Sequence, residues 1–249
     1  MSNKAIYQPS GKAGEYAAWA CNLYTGCSNN CDYCYCKRGP LGHLWTLEPR
    51  LKKCFKNEND AYDTFVSEIG CNNDELRRKG LFFSFTTDPM LPRSRNLTIA
   101  CIKIAVESDI PVTVLTKMAD FVDDFIKLFP EGEYRDHVIV GFTLTGHDEM
   151  ESHAAANVMR VEAMRRLHDA GFKTFASLEP VIDVRTTLDM FTLIRDYNCC
   201  DHVKVGLQSG RKTPYNPKNI KMLYDTIKQS PIPAYFKHSV TDFLGKTLF

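Results

Sequence analysis

Three cysteines, Cys27, Cys31 and Cys34, stand at the spacing C-x3-C-x2-C inside the stretch NLYTGCSNNCDYCYC, Asn22 to Cys36. Thiolates are ligands for soft metals and for iron–sulfur clusters. Three of them so close in sequence converge only if the chain between them loops tightly, and Gly26, Ser28, Asn29 and Asn30 favour such a turn. A structural zinc site wants four ligands, commonly from two C-x2-C knuckles. Only Cys31–Cys34 has that spacing here, and Cys36 as a fourth ligand would be cramped against Cys34. On a 4Fe–4S cluster, three thiolates leave one iron with an open position, which separates a reactive metal site from a closed structural one. Zinc and ordinary reduced thiols stay as alternatives.

The rest of the chain favours ligands over disulfides. Ten cysteines sit in a 249-residue sequence whose first stretch, MSNKAIYQPSGKAGEY, has no apolar signal region. A reducing, cytoplasmic setting is therefore expected, where clustered thiols hold metals or do chemistry. No apolar run approaches the roughly 20 residues of a membrane span, so no membrane association is expected. Thirty-one basic residues balance thirty acidic ones, a net charge of +1. That balance leaves no electrostatic footprint for nucleic acid, and the basic pairs are scattered.

Such a loop needs a scaffold, and the sequence alternates short apolar runs with helical patterns. The runs Tyr16–Leu23, Leu81–Phe85, Pro111–Leu115, Val138–Leu144, Lys173–Leu178 and His202–Leu207 read as strands. Helices are expected over Asn57–Arg78, over LTIACIKIAVES capped by Asn96, and over FVDDFIKLF capped by Asp120. Others are expected over NVMRVEAMRRLHDAG, Thr187–Tyr197 and Lys218–Gln229, with a last short strand in PAYFK. This alternation predicts an α/β fold with a parallel sheet: a partial (β/α)6, TIM-like barrel in a single domain over 1–249, its core about 16–237. An open doubly wound sheet is the rival. In either, functional residues belong beyond the C-terminal ends of the strands, where the cysteine loop already lies.

The three cysteines, with aromatic Tyr33 immediately before the third, resemble the radical S-adenosylmethionine (radical SAM) family. The resemblance implies a 4Fe–4S cluster on Cys27, Cys31 and Cys34, with SAM bound at the open iron. One electron then cleaves SAM to a 5′-deoxyadenosyl radical that abstracts hydrogen from a substrate. It also implies a flavodoxin- or ferredoxin-like electron donor. Tyr33 becomes a neighbour of the SAM adenine.

If SAM binds here, the strand ends supply its polar partners. In SFTTDP, Ser84, Thr86, Thr87 and Asp88 stand where the family usually has a Gly-Gly-Glu-like motif for the methionine amino group. Lys117, at the end of VLTK, and Arg160, early in its helix, suit the SAM carboxylate. Thr143 and Thr145 suit the ribose, and Ser177 and Glu179 suit the ribose or the substrate. Lys204, inside a strand, needs an acid such as Glu179 or Asp88. His147, Asp148, Glu149 and His153 look like a metal box, but a solvated or substrate-facing loop is favoured.

The phrases SFTTDPM, PVTVLTK, GFTLTGHDEME, VEAMRRLHDAGFKTFASLEPVID and VGLQSG are similar to the spore photoproduct lyase-like branch, and to related uncharacterised phage and bacterial radical SAM proteins. That implies a nucleic acid base as one substrate. A peptide or small-molecule substrate is the alternative within the family. A non-catalytic metal- or cluster-binding module is the alternative outside it. No hydrogen-donating cysteine or tyrosine is assigned.

Overall fold

Val112 and Val114, Val138, Val140 and Phe142, Ala176 and Leu178, and Val203 and Val205 all lie buried in one hydrophobic core. Each set is spaced by two, as one face of a strand requires. The structure, a computed structural model, describes residues 4–38, 42–43, 45–210 and 214–248. Its strands are β1 Ile6–Tyr7, β2 Ala20–Cys21, β3 Tyr24–Thr25, β4 Arg50–Leu51, β5 Leu81–Phe83, β6 Val112–Thr116, β7 Val138–Thr143, β8 Lys173–Val181, β9 His202–Leu207 and β10 Ala234–Phe236. Its helices are α1 Tyr35–Arg38, α2 Glu58–Lys79, α3 Arg95–Glu107, α4 Val122–Leu128, α5 Glu133–Asp136, α6 Asn157–Asp169, α7 Val184–Tyr197, α8 Pro217–Lys228 and α9 His238–Leu248.

The main sheet runs β1-β2-β5-β6-β7-β8-β9-β10, while β3 and β4 form a separate ribbon. Every pairing from β2 to β10 is parallel, and only β1 is antiparallel. Spatial order therefore keeps to chain order without reversal. A doubly wound sheet reverses and carries helices on both faces. Here Phe65 of α2, Ile102 of α3, Phe125 of α4, Met164 of α6, Phe191 of α7 and Leu223 of α8 share one core with one face of the strands. The sheet is a singly wound, partial barrel, as expected, with helices outside.

The alternate residues Phe82, Thr113, Leu115, Ile139, Gly141, Thr143, Phe175, Ser177, His202, Lys204 and Gly206 belong to the inner face. Polar groups appear on it, which sets it apart from the apolar outer face that packs on the helices. Among the described residues no pairing joins the first strand of the sheet to the last. The segment Gly11–Tyr16 bridges that gap. Lys12 Nζ donates to Ser209 Oγ (2.8 Å), His238 N donates to Glu15 (3.1 Å), and the Tyr16 ring packs 5.5 Å from that of Phe82.

Gly141 shows how tightly the inner wall is filled. A Cβ there would lie 2.1 Å from the Phe175 ring. Gly141→Ala is expected to destabilise by about 1–3 kcal/mol, with part recovered in a Gly141→Ala, Phe175→Leu double variant, read by urea unfolding.

Three expectations need correcting in detail. The first strand was expected over Tyr16–Leu23, yet only Ala20–Cys21 pairs, and Tyr16 stands ahead of it with its ring packed 5.5 Å from that of Phe82. Asn96 does not cap α3, which begins two residues earlier, after Ser94, as Arg95 N reaches Leu91 O. Asp120 does not cap α4 but pairs with Arg95 at 2.7 Å.

Candidate active site

The cysteine loop leaves the ribbon strand β3 at Gly26, whose φ is +86°. A Cβ at Gly26 would sit 2.4 Å from Thr46 Oγ1, so only glycine lets the chain pass there. Cys27 N then donates to Thr46 O (3.0 Å), and the left-handed Asn30 turns the loop back (φ +50°). Cys34 N closes on Cys31 O (3.2 Å) just before α1.

The loop is tied to the segments that leave three parallel strands. Asn29 Nδ2 donates to Asp88 after β5 (2.8 Å), and Cys36 Sγ lies 3.4 Å from Phe85 O on the same segment. Asp32 N donates to Met150 O after β7 (3.0 Å). Asp88 also accepts from Lys117 N after β6 (2.7 Å), from Thr116 Oγ1 (2.6 Å) and from Met90 N (3.0 Å). The loop thus sits over the C-terminal ends of β5, β6 and β7.

Under the loop lies a buried ion pair. Arg160 and Glu151 are both fully buried, with NH2 and Oε2 2.7 Å apart, out of line for a hydrogen bond. Arg160 also donates from Nε to Ala155 O (2.6 Å) and from NH1 to Thr143 O (2.8 Å). Tyr33 donates its hydroxyl to Glu151 Oε1 and presents its ring 5.6 Å from Lys117 Nζ. Burial opposes the charge on Lys117, but Cys31 and Glu151 outweigh it and push its pKa up. Burial and the neighbouring Glu151 keep Tyr33 a neutral phenol.

The thiols are not alike. Burial, then the Asp88 carboxylate, pushes Cys27 up to about 12. Burial also raises Cys31, against the pull of Lys117. A hydrogen bond from Cys36 lowers the Cys34 pKa below that of an ordinary thiol, against burial. All ten cysteines are free. Among the described residues, no three His, Cys, Asp or Glu side chains meet closely enough for one metal ion. A cubane asks for something else, since each thiolate takes its own iron at a separate corner.

Several other expected residues are engaged within the protein. Ser84 Oγ is spent on Thr87 O (2.7 Å), and Thr86 Oγ1 on Tyr24 O (2.5 Å). Asp88 is occupied by Asn29, Met90, Thr116 and Lys117. Thr145 Oγ1 accepts from His147 N (3.2 Å). Two buried polar atoms beside the loop have no partner, Thr87 Oγ1 and Asn29 Oδ1.

Ser177 and Glu179 belong to a second group inside the barrel. Tyr16 OH lies 2.6 Å from Ser177 Oγ and donates to Glu179 Oε2 (2.8 Å). Lys237, which sequence reasoning missed, grips both Glu179 oxygens at 2.9 and 3.1 Å. Its signal was available, because it ends a short strand in PAYFK as Lys117 ends VLTK. Phe85 links the two groups, stacking 4.5 Å from Phe82 and meeting Tyr16 edge-on at 6.2 Å while its carbonyl meets Cys36.

These residues sit in a recognisable frame. The model of the radical SAM superfamily matches residues 21–182. The chain belongs to the radical SAM superfamily. Its fold is similar to that of spore photoproduct lyase complexed with dinucleoside spore photoproduct, with a TM-score of 0.67 at 18% identity over 95% of this chain and 80% of that one. Streptococcus suis SuiB bound to S-adenosylmethionine is more distant, with a TM-score of 0.52 at 13% identity over 83% of this chain and 43% of that one. An uncharacterised protein of Methanocaldococcus jannaschii is 25% identical over 67% of this chain, which spans 61% of that relative's length. None of the chain's described helices is long and apolar enough to cross a membrane.

The loop that resembled a metal box holds itself instead. His147 Nδ1 meets Glu149 Oε1 and its Nε2 meets Asp183 Oδ2, both at 2.6 Å, with Thr186 Oγ1 2.9 Å from Nε2. Burial disfavours the imidazolium, but the two carboxylates overcome it and raise the pKa above 6.5. A raised histidine pKa gives stability that is complete below the unfolded value and lost as pH rises through the folded one. Burial opposes the charge on Asp183, but hydrogen bonds from Thr186 and the neighbouring His147 together overcome it and lower its pKa, so its contribution is lost only in acid. Urea unfolding should show the wild type losing about 1 kcal/mol relative to His147→Gln as pH rises from about 6 to about 9. Parallel pH profiles would refute the latch.

Proposed function

We propose that Cys27, Cys31 and Cys34 hold a 4Fe–4S cluster, that SAM binds beside it, and that the substrate reacts on the inner face of the barrel. The observation that supports this most is the tethering of a three-cysteine loop over the ends of β5, β6 and β7. When bound, the cluster supplies the electron that cleaves SAM to a 5′-deoxyadenosyl radical, which takes hydrogen from the substrate.

The chain's own groups fit an amino acid ligand. Lys117 Nζ makes no hydrogen bond among the described residues, and its cation suits a carboxylate. Thr87 Oγ1 and Asn29 Oδ1, both buried without partners, offer a donor and an acceptor to a carboxylate and an ammonium. Arg160 serves through Glu151 and Tyr33, which it holds in place. Thr143 and Thr145 stay assigned to the ribose side, and Ser84, Thr86 and Asp88 support the loop. Ser177 and Glu179 face the substrate. A nucleic acid base is the proposed substrate, supported by the likeness to spore photoproduct lyase. A cytoplasmic setting and a flavodoxin- or ferredoxin-like donor complete the reading.

The test is anaerobic reconstitution, then dithionite with SAM. Production of 5′-deoxyadenosine and methionine is expected. A reconstituted, reduced protein that leaves SAM intact would refute the proposal.

A further inference from the structure

Lys204 is the inner-face group whose chemistry the structure leaves unfinished. It lies mid-strand in β9, and its ammonium has three donors. The contacts of Nζ are Tyr16 O at 3.4 Å and the faces of the Tyr16 and Phe175 rings at 4.6 and 5.3 Å. Among the described residues no carboxylate bonds it. Glu179 is taken by Lys237, whose Nζ also lies 4.6 Å over the Tyr16 ring. Tyr16 is a neutral phenol, its pKa raised by burial and by Glu179. His202, stacked 5.1 Å over Phe175, is held towards neutrality by burial and by Lys204. Two ammoniums and one carboxylate thus leave one positive charge on an otherwise aromatic wall. Around Arg160 the charges balance, Lys117 and Arg160 against Glu151 and Asp88.

A half-buried charge without a counter-charge is costly unless something completes it. Burial, then Lys237, lowers the Lys204 pKa to about 8, with Glu179 only partly offsetting them. Tyr16, over whose ring the surplus lies, packs 5.5 Å from Phe82 and 6.2 Å from Phe85, and the Phe85 carbonyl meets Cys36 of the cysteine loop. Gly206 keeps that wall closed around Glu179, since a Cβ there would lie 2.7 Å from Glu179 Cδ.

We propose that Lys204, backed by Lys237, forms a subsite inside the barrel for an oxyanion of the substrate, phosphate or carboxylate. This rests on the reading that the inner face is the reaction chamber. The ligand's charge completes the pair of lysines, and Tyr16 and Phe175 bound it on two sides.

The experiment tracks the lysine side chains of the full chain by NMR with 13Cε-lysine labelling, the Lys204 signal being assigned by its loss in Lys204→Gln. It titrates Lys204 alone, with inorganic phosphate, with acetate, and with SAM. Phosphate or acetate is expected to raise the Lys204 pKa by about one unit or more, and the stronger anion names the source. No shift with either anion overturns the proposal, as does a shift with SAM alone. Lys204→Gln is expected to melt no lower than wild type, because it removes an uncompensated charge. A marked loss of stability would make Lys204 structural and overturn the proposal. Iron and sulfide content, measured separately on the wild type, tests the cluster reading independently of Lys204.

Discussion

Arg160→Leu is expected to cost about 3–5 kcal/mol of folding stability, because it strands the buried Glu151 carboxylate without its counter-charge. The pair is fully buried on both sides, so solvent cannot screen the loss. Arg160 also satisfies the carbonyls of Thr143 and Ala155, which would be left bare. Adding Glu151→Leu is expected to restore much of the loss, since replacing a buried pair by apolar groups is far less costly than breaking it. The recovery stays incomplete, because Tyr33 then has no acceptor for its hydroxyl. A double-mutant cycle by urea unfolding measures the coupling. A single variant within about 1 kcal/mol of wild type, with no coupling, would show that the pair does not hold this region.

Asp88→Ala should act on the cysteine loop itself. One carboxylate takes hydrogen bonds from Asn29, Met90, Thr116 and Lys117, at 2.6 to 3.0 Å. Alanine leaves those four donors without an acceptor, each worth about 1–3 kcal/mol and not additive. Unfolding should fall by more than about 3 kcal/mol, with Asp88→Asn intermediate because one oxygen still accepts. Hydrogen exchange gives a local reading: amides of Asp32 and Cys34, bonded to Met150 O and Cys31 O, should lose protection before those of β7. Unchanged exchange in the loop would deny Asp88 its tethering role.

Much of the scaffold was legible because parallel strands under helices are written as apolar runs. His202–Leu207 emerges with the bounds read from sequence, and the helix expected over Asn57–Arg78 emerges as α2, with Asn57 as its cap accepting from Asp60 N at 2.9 Å. Asn96 and Asp120 misled because a cap-type residue is only permitted to cap. The turn at Leu91–Ser94 decided where α3 begins. Asp183 was overlooked as the cap of α7, although it accepts from Thr186 N at 2.9 Å.

The site was legible where chemistry dictates spacing and opaque where pairing is remote. Cys27, Cys31 and Cys34 stand out because a cluster loop must be local. Glu151 looked like one acid in a polar loop, and nothing near it in sequence announces Tyr33 or Arg160 as partners. Tyr16 read as a strand residue because an aromatic ring fits a strand and a chamber wall equally well. Lys204 did announce itself, since a lysine between valines needs a reason. The expected acid, Glu179, proved to be held by another lysine.

The central claim is that three cysteines of this chain carry a 4Fe–4S cluster. Its most direct test is the iron and acid-labile sulfide of the anaerobically reconstituted chain, beside a Cys31→Ala protein treated identically. The account predicts about four iron and four sulfide per wild-type chain, with most of both lost in Cys31→Ala. A colourless wild type holding stoichiometric zinc and no sulfide, or a Cys31→Ala protein that keeps its full cluster, would contradict it.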